Sequence, residues 1–233
     1  MDIPSAFGAA FALILTLDPQ FLQIVALSLR VTLVAVFLAA VIGLPLGALL
    51  AIKRFRGRSA LIVLINGMMG LPPVVAGLIV FLLLSRSGPL GALGWLFSPT
   101  AMVMAQTLLV LPIVIALTRA TIEELWSEYR EHLTSLGLVG GKAIPTLLWD
   151  GRFALATGML AGFGRASAEV GAVLIVGGNI AGYTRTMTTS IALETSKGDL
   201  PMALSLGLVL ITLTLAINAA AYGASRVGAR FAG

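Results

Sequence analysis

The chain has no cysteine, a single histidine and very little charge: of its 233 residues, 15 are Lys or Arg and 10 are Asp or Glu. Without cysteine there is no disulfide, no thiolate nucleophile and no cysteine-based metal site, so the compartment has to be argued from topology. His132 has no His or Cys close to it in sequence, which leaves no ligand set for a metal. The phosphate-cradling pattern Gly-x-x-x-x-Gly-Lys-Ser/Thr is also missing, so these residues hold no ATPase of that kind. The scarcity of charge matters most. With 58% hydrophobic residues and a mean hydropathy of +1.03, the composition is that of an integral membrane protein. The net charge of +5 does not indicate nucleic acid, because the basic residues stand between apolar runs rather than on one patch.

What is present is a series of long uncharged runs. About 20 apolar residues are needed to cross roughly 30 Å of hydrocarbon. Val31 to Ile52 supplies 22, Ser59 to Ser85 supplies 27, Thr100 to Thr118 supplies 19 and Leu200 to Ser225 supplies 26. A further stretch, from Phe153 to Gly178, is long enough but contains Arg165 and Glu169. These runs predict an all-α polytopic protein with five transmembrane helices. Ile3 to Leu17 is apolar but spans only about 22 Å as a helix before Asp18-Pro19 stops it. It reads as an N-terminal interfacial helix within residues 1–20. A sixth span remains open, whereas a cleaved signal peptide lacks both its basic n-region and its small-x-small site.

Lys and Arg in the connections set the orientation, because they resist translocation. Lys53, Arg54, Arg56 and Arg58 follow the first span, Arg119, Arg130, Lys142 and Arg152 follow the third, and Arg226 and Arg230 follow the fifth. The opposite connections hold Arg86, Arg185 and Lys197. The expected topology therefore has the N-terminus outside and the C-terminus cytoplasmic. Residues 21–226 form the transmembrane domain and 227–233 a cytoplasmic tail.

Nine of the 25 charged residues fall between Arg119 and Arg152, so this cytoplasmic connection is chemically unlike the rest. Ile122, Leu125, Trp126, Tyr129, Leu133 and Leu136 recur at helical spacing, with Glu123, Glu124, Glu128 and Glu131 on the other faces. Thr121 with Glu124 fits a capping box that would start this helix, and Gly137 permits the left-handed turn that would end it. A second short helix is predicted from about Lys142 to Trp149, with Pro145 tolerated in its first turn. A helix lying on the membrane would favour lysines opposite anionic headgroups, whereas this one carries glutamates, so a protein partner fits better.

In the fourth apolar run Arg165 and Glu169 stand four residues apart, predicted on one helical face near mid-membrane. Two readings fit: an ion pair that satisfies itself, or groups that line a water-filled pathway. Glycines at 158, 162, 164 and 171 allow close packing or local unwinding. In the second run, Pro72 and Pro73 remove backbone donors and predict a kink.

Several of these segments resemble known permeases. Glu131, Leu136 and Gly137, followed by Ile144-Pro145, are similar to the coupling loop of ABC importer permeases, although His132 and Leu133 stand where that motif has two alanines. Gly162-Phe163-Gly164-Arg165-Ala166 through Glu169 to Gly178-Asn179, Leu71-Pro-Pro-Val-Val-Ala-Gly77, and Gly43-x-Pro45-x-Gly47 resemble permeases for molybdate, sulfate and tungstate. Tyr183 to Asp199 looks most like the external loop of the tungstate branch.

The resemblance implies a type I ABC importer permease subunit that imports an oxyanion, most like tungstate, with molybdate or sulfate as alternatives. It implies a homodimer in the lipid of a bacterial or archaeal plasma membrane. Its partners would be a cytoplasmic ATPase, which binds the ATP and Mg, and an extracytoplasmic oxyanion-binding protein; no cofactor belongs to this chain. Glu128, Glu131, His132, Leu133, Leu136, Gly137, Ile144 and Pro145 would couple to the ATPase, while Pro72, Pro73, Arg165, Glu169 and Asn179 would line or gate the pathway. Arg30, Arg165 and Arg185, with the hydroxyls of Thr184, Thr186, Thr188 and Thr189, are groups that favour an oxyanion electrostatically. Two other classes remain open: an ion-coupled secondary transporter with Glu169 carrying protons, and a membrane anchor that recruits a cytoplasmic protein without solute flux.

Overall fold

The computed structural model of the chain describes residues 18–231 together with positions 12, 15 and 16. The expected interfacial helix from Ile3 to Leu17 lies outside the described residues apart from those three positions. Among the described residues the fold is all-α, with no strand. Its helices are α1 (Pro19–Ile52), α2 (Arg58–Met69), α3 (Pro73–Leu84), α4 (Pro99–Ser135), α5 (Ile144–Asp150), α6 (Arg152–Ser167), α7 (Gly171–Gly177), α8 (Met187–Lys197) and α9 (Leu200–Phe231). Short 3-10 turns at Gly91–Leu93 and Gly140–Ala143 complete the chain path. Because α9 runs to Phe231, the segment expected as a tail from residue 227 is helical to that point.

Among the described residues, three helices are long and apolar enough to cross a membrane: α1, α4 and the Leu200–Ala220 part of α9. The number rises to five if each of two bent pairs, α2 with α3 and α6 with α7, is one span. The first break has a local chemical cause. Pro72 and Pro73 donate no backbone hydrogen bond, and each disfavours helical geometry in the residue before it. α2 therefore closes at Gly70, while Pro73 takes the first-turn position of α3, where a missing N–H costs nothing. The proline effect is thus a full interruption rather than the expected kink.

The chain forms two compact units. Of the described residues, the first comprises those up to 35 together with 72–106 and 166–217. Within it α3 packs closely on α7: a Cβ at Gly77 would stand 2.7 Å from the Ala172 Cα, so the helices approach backbone to backbone. Phe21 of α1, Met187 of α8 and Leu206 of α9 form a second buried cluster. Ser28 reinforces it by polar means, its Oγ donating to the Ile24 carbonyl and accepting from the Met187 N–H at 2.7 Å.

The second unit comprises residues 36–71, 107–165 and 218–233. Here the Gly43-x-Pro45-x-Gly47 element has a packing explanation. A Cβ at Gly43 would lie 2.8 Å from Val114 Cγ1, and one at Gly47 would lie 2.6 Å from Thr118 Cβ and 2.7 Å from the Ile115 carbonyl oxygen. The two glycines lie one turn apart and form the seam along which α1 meets α4.

Candidate functional site

The segment from Arg119 to Arg152 is built as an extension of α4, a left-handed turn, a 3-10 turn and α5. Thr121 is not its start. α4 runs unbroken from Pro99 to Ser135, so the residues before Thr121 already supply helical carbonyls and no free first-turn amides remain to be capped. Gly137 does end it, at φ 77, and the Leu138 N–H donates back to the Leu133 carbonyl at 2.9 Å. Gly140 adds a second left-handed turn at φ 58, after which Pro145 lies in the first turn of α5 as expected.

The segment is held by its buried side. Ile122, Leu133, Ala143 and Leu147 pack with Ala48 and Ala51 of α1 in one cluster. Leu133, one of the expected coupling residues, is buried in this cluster because helical spacing turns it to the same side as Ile122. An ionic clamp lies beside the cluster. Glu123 pairs with Arg58 through one carboxylate oxygen and accepts from Arg119 Nη1 at 2.6 Å through the other, while Arg58 Nε donates to the Leu50 carbonyl at 2.7 Å. One carboxylate thus joins α4 to the first residue of α2. Neither Arg58 nor Glu123 stands out for this role in the sequence, where Arg58 reads as one of the basic charges after the first span and Glu123 as a charge on the polar face of the cytoplasmic helix.

The opposite side is open. Glu128, Glu131, His132, Gly137 and Pro145 are exposed, and Ile144 is half-buried. Leu136 is 69% exposed, Val139 60% and Trp149 71%. Large apolar groups of similar exposure occur along the spans, as at Phe37 and Val63, but these three stand in the charged segment beside Glu128 and Glu131. Val139 and Trp149 share this exposure although they are not among the expected coupling residues, since periodicity reports helical faces but not which face tertiary packing will cover. The Arg152 guanidinium lies over both the Trp149 and Phe153 rings, 4.8 Å and 4.5 Å from their centroids. The adjacent Glu128 carboxylate and, more weakly, Asp150 raise the Tyr129 phenol above its ordinary pKa.

The other predicted residues lie elsewhere. α6 ends at Ser167 and α7 begins at Gly171, so Arg165 and Glu169 do not share a helical face. Glu169 instead acts on α7. It is 3% exposed, its Oε1 accepts from the Ala172 N–H at 2.9 Å, and its carbonyl accepts from Thr188 Oγ1 at 2.8 Å. A carboxylate in that position satisfies a first-turn amide and interacts favourably with the helix N-terminus. Arg165 is half-buried near the end of α6. Asn179, at φ 51, comes directly after the left-handed Gly178 that terminates α7. Pro72 is exposed and Pro73 half-buried at the break before α3.

The two substitutions that remove the Glu169 charge should differ in effect. Gln at this position keeps an acceptor for the Ala172 amide, whereas Leu leaves a buried N–H unpaired at a cost of about 1–3 kcal/mol. Glu169→Gln should therefore unfold within a few degrees of the parent, and Glu169→Leu should unfold clearly earlier in a thermal scan of the detergent-solubilised protein. Equal loss in both would show that the charge, rather than the acceptor, is what matters.

The threonines considered as anion ligands are committed to structure. Thr184 Oγ1 accepts from Ile180 N–H at 2.9 Å and donates to the Gly177 carbonyl at 2.6 Å. Thr186 and Thr189 cap α8 reciprocally, and Thr184, Thr186 and Thr189 are buried.

An apolar helical chain with a helix, glycine and helix segment, covered on one side and open on the other, has clear relatives among known proteins. No family model matches the chain. It is 41% identical over 220 residues to the tungstate uptake system permease protein TupB of Peptoclostridium acidaminophilum, covering 94% of this chain and 96% of the relative. It is 39% identical over 214 residues to a probable anion ABC transporter permease protein of Haloferax volcanii, covering 90% and 89%. The sulfate transport system permease CysW of Synechocystis is more distant, at 29% over 209 residues. The chain belongs to the TupB family of ABC transporter permeases.

The permease is accordingly a multi-pass plasma-membrane protein and not itself an enzyme. ATP hydrolysis lies in a separate subunit, and the family works with an ATPase and a substrate-binding protein.

Proposed function

We propose that this permease imports tungstate into the cytoplasm as a homodimer, energised by an ATPase docked on residues 119–152. The observation that carries the docking reading is the two-sided construction of that segment. Ile122, Leu133 and Leu147 anchor it to α1, while Leu136, Val139 and Trp149 remain exposed beside Glu128 and Glu131. Movement of a partner bound on the open side is passed directly to the spans through the buried side and the Glu123 clamp. The substrate reading rests on the near-full-length relative named as a tungstate uptake permease.

In this reading the membrane domain covers residues 21–226, and each bent helix pair counts as one span, giving five spans in a type I importer arrangement. The N-terminus is outside and the C-terminus is cytoplasmic, in keeping with the distribution of Lys and Arg. The ATPase binds ATP and Mg, and an external protein delivers the oxyanion. A homodimer partner or lipid would cover α2, none of whose residues is buried within the chain. The breaks at Pro72-Pro73 and around Glu169, with Arg165 and Asn179 flanking the second, are the places where backbone polar groups become available to a pathway.

The test is reconstitution with the candidate ATPase and external binding protein. Tungstate should stimulate ATP hydrolysis at lower concentration than molybdate or sulfate. Stimulation by sulfate or molybdate without tungstate would reassign the substrate. Uptake that persists without the ATPase and collapses with an uncoupler would replace the mechanism by ion coupling, and partner binding without flux would reduce the protein to an anchor.

A further inference from the structure

A cavity of about 500 Å³ lies wholly within the first compact unit, between the first turns of α1 and the loop that joins α7 to α8. Its polar lining comes from Gln20, Gln23 and Arg30 on one side and Tyr183 and Arg185 on the other. No carboxylate is among its described lining residues. Nothing among the described residues pairs with the Arg30 guanidinium. Arg185 makes one long bond, from Nη2 to the Asn179 carbonyl at 3.4 Å, and its Nε is buried with no partner. The nearby hydroxyls of Thr184, Thr186 and Thr189 are already consumed by caps and turns, so the unspent charged donors here are the two guanidinium groups.

We propose that this cavity is a transit site for a tetrahedral dianion, with Arg30 and Arg185 as its charged ligands. Two uncompensated guanidinium groups create a positive potential that an anion relieves, and their planar forks match oxyanion geometry. The amides of Gln20 and Gln23 and the phenol of Tyr183 supply neutral donors around them. At this volume an oxyanion keeps part of its hydration shell, so binding is weak and reversible, as passage requires. The placement of the cavity on the entry side rests on the proposed import function and topology; the anion chemistry of the cavity does not.

The test uses the purified full-length chain in detergent, with neither ATPase nor external protein present, so that no partner carboxylate can occupy the site. Equilibrium dialysis against radiolabelled sodium tungstate should show saturable binding, displaced by molybdate or sulfate but not by chloride at equal ionic strength. R30Q and R185Q should each weaken it by about tenfold or more, the loss expected for one charge-assisted bond, and the double variant should abolish it. R30K/R185K should retain part of the binding, and if R185Q does not fold, R30Q at the exposed position carries the test. Unchanged affinity in folded R30Q, or wild-type binding that chloride displaces equally, would overturn the proposal.

Uptake by the complete complex separates this inference from the substrate reading. If the wild type transports tungstate and the arginine variants do so at unaltered concentration dependence, the site fails and the reading stands. If the wild type transports only sulfate and the variants lose it, tungstate fails and the site stands.

Discussion

Leu136→Asp combined with Trp149→Asp is expected to release the ATPase while leaving the permease folded. Both side chains are more than two-thirds exposed, at 69% and 71%, so their replacement removes little of the chain's own packing. At a protein interface, buried aromatic and aliphatic anchors commonly contribute about 2 kcal/mol or more each, and introducing charge adds a desolvation cost. Two such losses correspond to an affinity decrease of about a thousandfold. Co-purification of the ATPase with the double variant should fall to background and tungstate uptake should disappear, with the thermal unfolding of the isolated permease unchanged. Glu131→Arg with Gly137→Leu provides a second route to the same result. The first reverses an exposed charge, and the second places a side chain at φ 77, a backbone region that costs an L-residue about 1–2 kcal/mol. ATPase association and uptake that survive both double variants would remove residues 119–152 from the docking surface.

The parts of this architecture that are legible in sequence are those governed by local rules. Gly137 is readable as a helix stop because a left-handed residue strongly favours glycine, and Pro145 as a first-turn residue because its missing N–H does no harm there. The uncharged runs are readable because hydrocarbon penalises charge. The features that escape a sequence reading depend on continuity or on distant partners. Thr121 with Glu124 has the letters of a capping box, but nothing before it breaks the helix, so α4 passes straight through. Arg165 and Glu169 have the spacing of a helical pair, yet the stretch between Ser167 and Gly171 interrupts the helix and Glu169 caps α7. Leu133 and Leu136 look alike in the periodic pattern, and only the packing of Ala48, Ala51 and Ala143 decides that the first is covered and the second is not. Arg58 and Glu123 are 65 positions apart, a separation at which no local pattern announces a bond.

The second large effect is expected at Gly77, where Gly77→Leu should abolish folding of the first unit and transport with it. The position is buried in α3, and even a Cβ would come within 2.7 Å of the Ala172 Cα and 3.1 Å of its carbonyl oxygen. The obstacle is backbone, which cannot rotate away as a side chain does, so α3 and α7 must separate to admit anything larger. Overpacking typically costs about 1–3 kcal/mol, and a bulky side chain set directly against backbone belongs at or beyond the upper end. Separating the helices also moves Ala172, whose N–H is the group Glu169 caps, so the helix start and the packing seam should fail together. Gly67 provides the internal control. It is likewise helical, but a Cβ there meets nothing within 4 Å, so Gly67→Ala should be neutral or slightly stabilising through the higher helix propensity of alanine. Thermal unfolding and uptake measured side by side should show Gly77→Leu inactive with a collapsed folded yield, Gly77→Ala intermediate, and Gly67→Ala indistinguishable from the parent. A fully active, normally stable Gly77→Leu would mean that α3 and α7 do not approach backbone to backbone.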